Sequence, residues 1–218
     1  MYSKIEKLKE IIKGYESVIV GYSGGIDSTL LCYYSNEILK ENFLAVLTIS
    51  ETFTEEEYNE ALLIAKKYNW PIKIIETKEL ENKNFTNNTQ DKCKWCKEIK
   101  ATELFKLAQK ENYKEVLMGD NSDDLKDYRP GFKQSQIMGI KSPFIEANIT
   151  KDEIRQISKE LKLPNFDKPS TPCIASRIPY GIEITTKNLK QIEKAERFIK
   201  KLGYKVVRVR HEKNTAKI

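Results

Sequence analysis

The stretch Val18-Ile-Val-Gly-Tyr-Ser-Gly-Gly-Ile-Asp-Ser-Thr29 joins an apolar run to a turn rich in glycine and hydroxyl groups. The run before Ser23 is typical of a buried strand, and residues 29–39 are typical of the helix that follows. A glycine-rich turn between strand and helix points several backbone N–H groups at one place, where the helix N-terminus adds partial positive charge. The stretch therefore predicts a site for a phosphate chain and its metal ion.

This turn differs from the Walker loop, which is longer and ends in a lysine, because no lysine occurs between Gly14 and Lys40. The pattern resembles the PP-loop of ATP pyrophosphatases, which cleave ATP between the α- and β-phosphates and adenylylate a substrate. We expect the nucleotide to be bound by Ser23, Gly24, Gly25, Asp27 and Ser28. Asp27 is also expected to act in catalysis by helping to hold Mg²⁺ on the phosphates, since this hard cation prefers carboxylate oxygens.

Composition limits the class of protein. The 218 residues are 39% hydrophobic, which is enough for one large domain with or without a small appendage. No apolar run reaches the ~18–20 residues of a membrane helix, and the N-terminal segment is charged. We therefore expect a cytoplasmic protein without membrane association, in which the four cysteines are thiols or metal ligands and not disulfides.

Strands and helices alternate along the first part of the chain. The patterns predict strands at 17–21, 44–49, 71–76 and 115–119, and helices at 4–13, 28–40, 54–68 and 94–110. This order is typical of an α/β fold with a doubly wound parallel sheet, whose ligands lie beyond the carboxyl ends of the strands. Thr54 is expected to cap its helix.

The pattern changes after Lys126. Residues 127–142 and the proline-rich residues 163–180 are expected to be mainly loop, and residues 150–161 a helix with a capping box from Thr150 and Glu153. A helix at 186–202 and a strand at 204–211 predict a small C-terminal α+β region. We place the domains at 1–181 and 182–218.

The C-terminal region is basic. Between Lys187 and Lys217, eleven Lys or Arg residues oppose three Glu, which gives this segment a charge of +8 and, with a net charge of +6 for the chain, leaves −2 for the rest. Such a segment suits contact with nucleic acid or another phosphate-bearing substrate, or it is a solvated helix.

Further candidate ligands follow the fourth predicted strand and lie near the C-terminus. Gly119, Asp123 and Asp124 would lie at the same sheet edge as Ser23, and we expect them to contribute to the nucleotide and metal site. Arginine forks suit phosphate and carboxylate groups, so Arg177, Arg208 and Arg210 are candidates too, as are Arg129 and Lys133.

Three cysteines are candidate metal ligands. Cys93 and Cys96 are three residues apart and would share one side of a helical turn, while Cys173 lies in a proline-bordered loop. Cys32 follows two leucines and is interpreted as a small buried hydrophobe. The spacing alone does not choose between a redox pair, half a zinc site and an iron–sulfur cluster held by three thiolates.

The whole set of motifs resembles the LarE family of ATP-dependent sulfur-inserting enzymes, which mature the nickel-pincer nucleotide cofactor of lactate racemase. The matching segments run in order along the chain: Ser23–Ser28, Cys93–Lys97, Gly119–Asp124, Asp127–Gly131, Lys151–Ile157, Pro172–Gly181 and Arg208–His211. Members of the family usually continue beyond the last of these segments, whereas this sequence stops at Ile218.

The resemblance implies a reaction. ATP would adenylylate a carboxylate of a pyridinium biscarboxylic acid mononucleotide, and sulfur from sulfide or another donor would then displace AMP. Some members give up the sulfur of a single cysteine at the Cys173 position. Others hold a [4Fe–4S] cluster on three cysteines, as Cys93, Cys96 and Cys173 would here, with Cys173 and Arg177 acting in catalysis. A homo-oligomer is also expected.

Other functions remain open at this stage. Related PP-loop enzymes thiolate tRNA and also carry three cluster cysteines, although they typically add zinc modules for which four cysteines leave no room. An amidase-type ligase would need an ammonia source, and no glutaminase-like segment is present. From another class, a regulator could bind nucleotide and metal without turnover.

Overall fold

The computed structural model describes residues 1–126, 130–204, 206–212 and 215–218. Its helices are α1 Tyr2–Gly14, α2 Ile26–Leu39, α3 Glu55–Lys67, α4 Lys83–Thr86, α5 Lys92–Lys110, α6 Pro130–Ile137, α7 Pro143–Glu146, α8 Lys151–Glu160 and α9 Thr186–Lys201. Its strands are β1 Val18–Tyr22, β2 Phe43–Ile49, β3 Ile72–Glu76, β4 Glu115–Leu117, β5 Arg210–Glu212 and β6 Thr215–Lys217. No helix in these ranges is both long and apolar enough to cross a membrane.

The central sheet is parallel, with the strand order β3-β2-β1-β4. Alternate residues of β1 enter different cores: Val18 and Val20 pack with α1, α2, α3 and α8, whereas Ile19 packs with α5. Helices therefore cover both faces of the sheet, and the predicted doubly wound α/β fold is confirmed. Because parallel strands end at one edge, the turns that follow β1 and β4 are brought together there.

Local signals predicted several helix ends correctly. Thr54 and Thr150 cap α3 and α8, and each forms a capping box with the glutamate three residues later. The predicted helix at 186–202 corresponds to α9. These ends depend on side chains that lie within one turn of the helix, so the sequence contains the whole signal.

Two predictions for the second half of the chain were wrong. The expected loop at 127–142 contains α6, because Pro130 lies at the first helical position, where proline's fixed φ is favourable; residues 127–129, including Arg129, lie outside the described part. The expected strand at 204–211 is reduced to Arg210–Glu212. The backbone N–H of Val209 donates to the Glu196 carboxylate at 2.9 Å and not to a neighbouring strand, and residue 205 is not described.

A third apolar cluster joins the C-terminal helix to the rest. Ile184, Leu189 and Ile192 pack with Phe85 of α4 and with Ile174 of a short 3₁₀ helix, Ile174–Arg177. This cluster contains residues from both sides of position 182. The division into domains at 1–181 and 182–218 stays a prediction.

Candidate functional site

The phosphate loop connects β1 to α2, and Gly25 is the N-cap of the helix. Gly24 has φ +71°, and a Cβ at this position would lie 2.9 Å from Cβ of Ala61 on α3. Glycine is therefore required here both by the left-handed backbone and by the close approach of α3. A side chain at position 24 would push the loop away from α3.

Two serine hydroxyl groups form hydrogen bonds within this loop. Ser23 Oγ and Ser28 Oγ are 3.1 Å apart, and Ser28 Oγ donates to the Gly25 carbonyl at 3.1 Å. Asn165 supports the loop from outside, donating from Nδ2 to the Gly24 carbonyl at 3.0 Å and to Thr29 Oγ1 at 2.9 Å. Asn165 is a supporting residue that the sequence analysis missed, because it lies 141 positions from Gly24.

Acidic side chains lie beside the phosphate loop. A Cβ at Gly119 would lie 3.0 Å from the Asp27 carbonyl carbon and from Ser28 N, so Gly119 lets the turn after β4 touch the phosphate loop. Burial raises the pKa of Asp27; Lys151 opposes this, while nearby Asp124 and Asp120 raise it further. Asp120 Oδ2 is buried without a hydrogen-bond partner among the described residues.

Lys151, the first residue of α8, pairs with Asp27. Its Nζ lies 2.6 and 2.5 Å from the two Asp27 carboxylate oxygens, and its backbone N–H donates to Asp123 Oδ2 at 2.9 Å. Asp124 is buried and its Oδ2 accepts the backbone N–H of Asn121 at 2.8 Å. Carboxylate oxygens are the ligands that Mg²⁺ prefers, so the chemistry of these side chains suits the ion, although Lys151 contacts both Asp27 oxygens.

The three predicted ligand cysteines lie in one region. Cys93 and Cys96 are on α5, and the thiol of Cys173 interacts electrostatically with both of them. Burial raises the pKa of Cys93, and it raises that of Cys96 to about 11. Across the described residues, no set of three or more His, Cys, Asp or Glu side chains has the geometry of a metal site as it stands. Cys32 is fully buried in the core, as expected.

Two polar residues hold the loop that carries Cys173 against α5. Asn88 is fully buried, and its Nδ2 donates to the carbonyls of Ile178, Pro179 and Ile182 at 2.7–3.1 Å. Lys92 Nζ donates to Asn88 Oδ1 at 2.7 Å and to the Ala175 carbonyl at 3.3 Å. Their long-range hydrogen bonds explain why the spacing of the cysteines did not reveal how close they are.

Arg177 contacts the backbone of the loop that carries Cys173. It does not line the cavity between that loop and the phosphate loop, which is described below. Its guanidinium is buried, with Nε 2.9 Å from Glu196 Oε1, and Nη1 donates to the carbonyls of Pro172 and Cys173. These contacts position the Cys173 loop, whereas the sequence predicted a catalytic role for Arg177.

The C-terminal arginines also lie apart from the phosphate loop. Arg208 and Arg210 are exposed beside a separate groove, lined with Tyr204 and Val206, whereas the alternating residues Val207 and Val209 are buried. Arg208 Nη2 donates to the Ser170 carbonyl at 3.3 Å. Their predicted role in nucleotide binding stays a prediction.

A cavity of about 290 Å³ joins the phosphate loop to Cys173. Its lining includes Ser23, Gly25, Asp27, Thr52, Lys100, Lys151, Lys168 and Cys173. Lys151 begins one of the segments that carry the family resemblance, but no sequence pattern assigned a role to any of the three lysines, since each has a charged side chain in an otherwise ordinary helix or loop. Only the fold shows that they face the same space.

A parallel sheet with this loop at its carboxyl edge defines a nucleotide-using protein of the PP-loop class. The sequence profile of a family described as NAD synthase matches residues 4–165. An NH(3)-dependent NAD(+) synthetase of Wolinella succinogenes is 27% identical over 157 residues, 70% of this chain and 60% of that protein.

Two relatives that match 99% of the chain identify its family within this class. An uncharacterized protein of Synechocystis is 39% identical over 216 residues, 99% of this chain and 81% of its own. The pyridinium-3,5-bisthiocarboxylic acid mononucleotide synthase of Lactiplantibacillus plantarum is 33% identical over 217 residues, 99% of this chain and 79% of its own. The chain belongs to the LarE family of ATP-using sulfurtransferases, within the PP-loop proteins related to NAD synthase.

Proposed function

We propose that this protein converts a carboxylate of pyridinium biscarboxylic acid mononucleotide into a thiocarboxylate at the expense of ATP. The observation that carries the proposal is the cavity shared by the phosphate loop and Cys173. An acid that is adenylylated at the phosphate loop would already lie in the same cavity as Cys173. The proposed compartment is the cytoplasm, where thiols stay reduced.

The proposed reaction has two steps. A carboxylate oxygen of the substrate attacks the α-phosphorus of ATP, the bond to the β-phosphate bridging oxygen breaks, and pyrophosphate leaves. Sulfide then adds to the acyl carbon, and AMP leaves with the former carboxylate oxygen. Asp27, Asp120 and Asp124 would hold Mg²⁺, which when bound would neutralise charge on the phosphates. The helix N-terminus at Gly25 would stabilise the remaining negative charge.

We also propose that Cys93, Cys96 and Cys173 hold a [4Fe–4S] cluster. The support is the donor set: three thiols interact with one another, with Lys92 and Lys97 near Cys93 and Lys100 near Cys96. Burial raises the pKa of Cys93 and Cys96, and the positive charge of these lysines opposes that shift and so favours the thiolate form that binds iron. When bound, a cluster with three protein ligands would supply an open iron position for exogenous sulfur.

The products of ATP cleavage test the first proposal. We expect AMP and pyrophosphate in equal amounts when the protein is incubated with ATP, Mg²⁺, sulfide and the biscarboxylic acid mononucleotide. ADP and phosphate would contradict adenylylation. Binding of ATP without any turnover would favour the regulator considered above, and turnover with bulk tRNA in place of the mononucleotide would favour a tRNA thiolase.

Iron and acid-labile sulfide analysis tests the cluster. Protein purified without oxygen is expected to contain about four iron and four sulfide atoms per chain. Changing Cys93, Cys96 or Cys173 to Ala should remove most of both, together with the brown charge-transfer absorption. Cys32→Ala is the matched control, because this cysteine is buried in the core away from the site. Colourless protein containing stoichiometric zinc after anaerobic reconstitution would contradict the proposal.

A further inference from the structure

Lys100 is a cavity-lining cation for which the reaction above gives no role. It lies on α5, four residues after Cys96, so both side chains project from the same face of the helix. The same cavity is lined by Ser23 of the phosphate loop and by Cys173. Lys100 therefore faces the space between the place where ATP would react and the place where sulfur would enter.

A buried carboxylate anchors this lysine. Lys100 Nζ is 3.5 Å from Oε1 of Glu79, whose side chain is fully buried. The same oxygen accepts the Thr77 hydroxyl at 3.1 Å and lies 3.8 Å from Cys96 Sγ, whereas Oε2 has no hydrogen-bond partner among the described residues. The Glu79 carboxylate is the ion-pair partner of Lys100, so the ammonium group has a counter-charge beside it.

Lys100 is also less tightly engaged than the other two lysines of the cavity. Lys151 contacts both carboxylate oxygens of Asp27, and Lys168 forms a short ion pair with Glu60. The Lys100 ion pair is longer, at 3.5 Å, although its side chain is slightly less exposed than those of Lys151 and Lys168, at 21% against 28% and 26%. Of the three, Lys100 is the lysine that can contact an added anion without losing a close ion-pair partner.

We propose that the Lys100 ammonium binds the substrate carboxylate during its activation and then the acyl oxygen as sulfur adds. This role rests on the function proposed above, because that reaction brings a carboxylate into this cavity. A carboxylate approaching ATP is repelled by the phosphates, and a fixed cation offsets that repulsion. The acyl oxygen gains negative charge when sulfur adds, so a preorganised cation lowers the barrier to this step as well.

The competing explanation is that Lys100 only neutralises the buried Glu79. Lys100→Met alone does not separate the two, because it leaves an unpaired carboxylate in the interior. The double variant Lys100→Met/Glu79→Gln removes both charges and keeps the side-chain volumes similar. The single variant Glu79→Gln is the matched control, since it retains the cation.

The readout is ATP–pyrophosphate exchange dependent on the biscarboxylic acid mononucleotide, with thermal unfolding of each variant. For the double variant we expect native-like unfolding, an ATP KM within about twofold of wild type, and kcat/KM for the acid lower by on the order of 10²-fold. Glu79→Gln loses the anchor of Lys100 but retains the cation, so its kcat/KM for the acid should fall much less than that of the double variant.

Wild-type exchange by the double variant would overturn the role of Lys100. An equal loss in Glu79→Gln would also overturn it, because the pair would then act through structure. No exchange by the wild-type protein would overturn the proposed function itself, together with the substrate assigned to Lys100.

Discussion

Replacing Asp27 by Asn is expected to reduce substrate-dependent pyrophosphate release by on the order of 10²–10³-fold, as losses of electrostatic stabilisation at a reacting group typically do. The asparagine keeps the shape of the side chain but removes the charge that would bind Mg²⁺ beside the loop. It also removes the negative charge that Lys151 pairs with, since Lys151 Nζ contacts both Asp27 oxygens. Release should be measured over a range of Mg²⁺ concentrations, because higher Mg²⁺ should partly restore a weakened metal site.

Two control measurements test whether the loss in the Asp27 variant comes from the metal site. Glu103→Gln removes an exposed carboxylate from α5 that pairs with Lys106, and it should leave pyrophosphate release unchanged. Iron content of Asp27→Asn should equal that of the wild type, since Asp27 is not among the proposed cluster ligands. Pyrophosphate release at the wild-type rate would show that Asp27 does not hold the metal.

Much of the fold was predictable because its signals are local. The β1–loop–α2 unit follows from one apolar run, two glycines and the helix after them, and the capping boxes at Thr54 and Thr150 lie within four residues. The α6 helix was missed because Pro130-Gly131 is typical of a turn, whereas Pro130 begins the helix. Gly131 allows α6 to approach α5, since a Cβ there would lie 3.0 Å from the Cys93 carbonyl oxygen.

The reactive residues of the site were predictable from the sequence, but the residues that hold them in position were not. Glycines, hydroxyls and cysteines form short patterns whose chemistry can be inferred from residue type. Asn88, Lys92 and Asn165 support these residues through hydrogen bonds to backbone carbonyls distant in sequence, which no pattern encodes. For the same reason Arg177 looked like an anion-binding residue, because only its burial against Glu196 shows that its charge is already neutralised.

Arg177→Met is the second change for which we expect a large effect, a loss of about 3–5 kcal/mol in the free energy of unfolding. The substitution leaves the Glu196 carboxylate buried without its cation, and the carbonyls of Pro172 and Cys173 lose a donor. Chemical denaturation followed by circular dichroism measures this loss. Arg197→Met, which breaks an exposed ion pair between α9 and Glu55, should cost no more than about 1 kcal/mol.

A second variant separates stability from positioning. Arg177→Met/Glu196→Gln removes the unpaired charge, while the amide oxygen introduced at position 196 still accepts the Val209 N–H, so at least half of the lost stability should return. Sulfur transfer should stay low in this variant, because the Cys173 loop still lacks the guanidinium that binds its carbonyls. Full recovery of both stability and transfer would mean that Arg177 only neutralises Glu196. A loss below about 1 kcal/mol in the single variant would instead mean that the pair is screened like a surface ion pair.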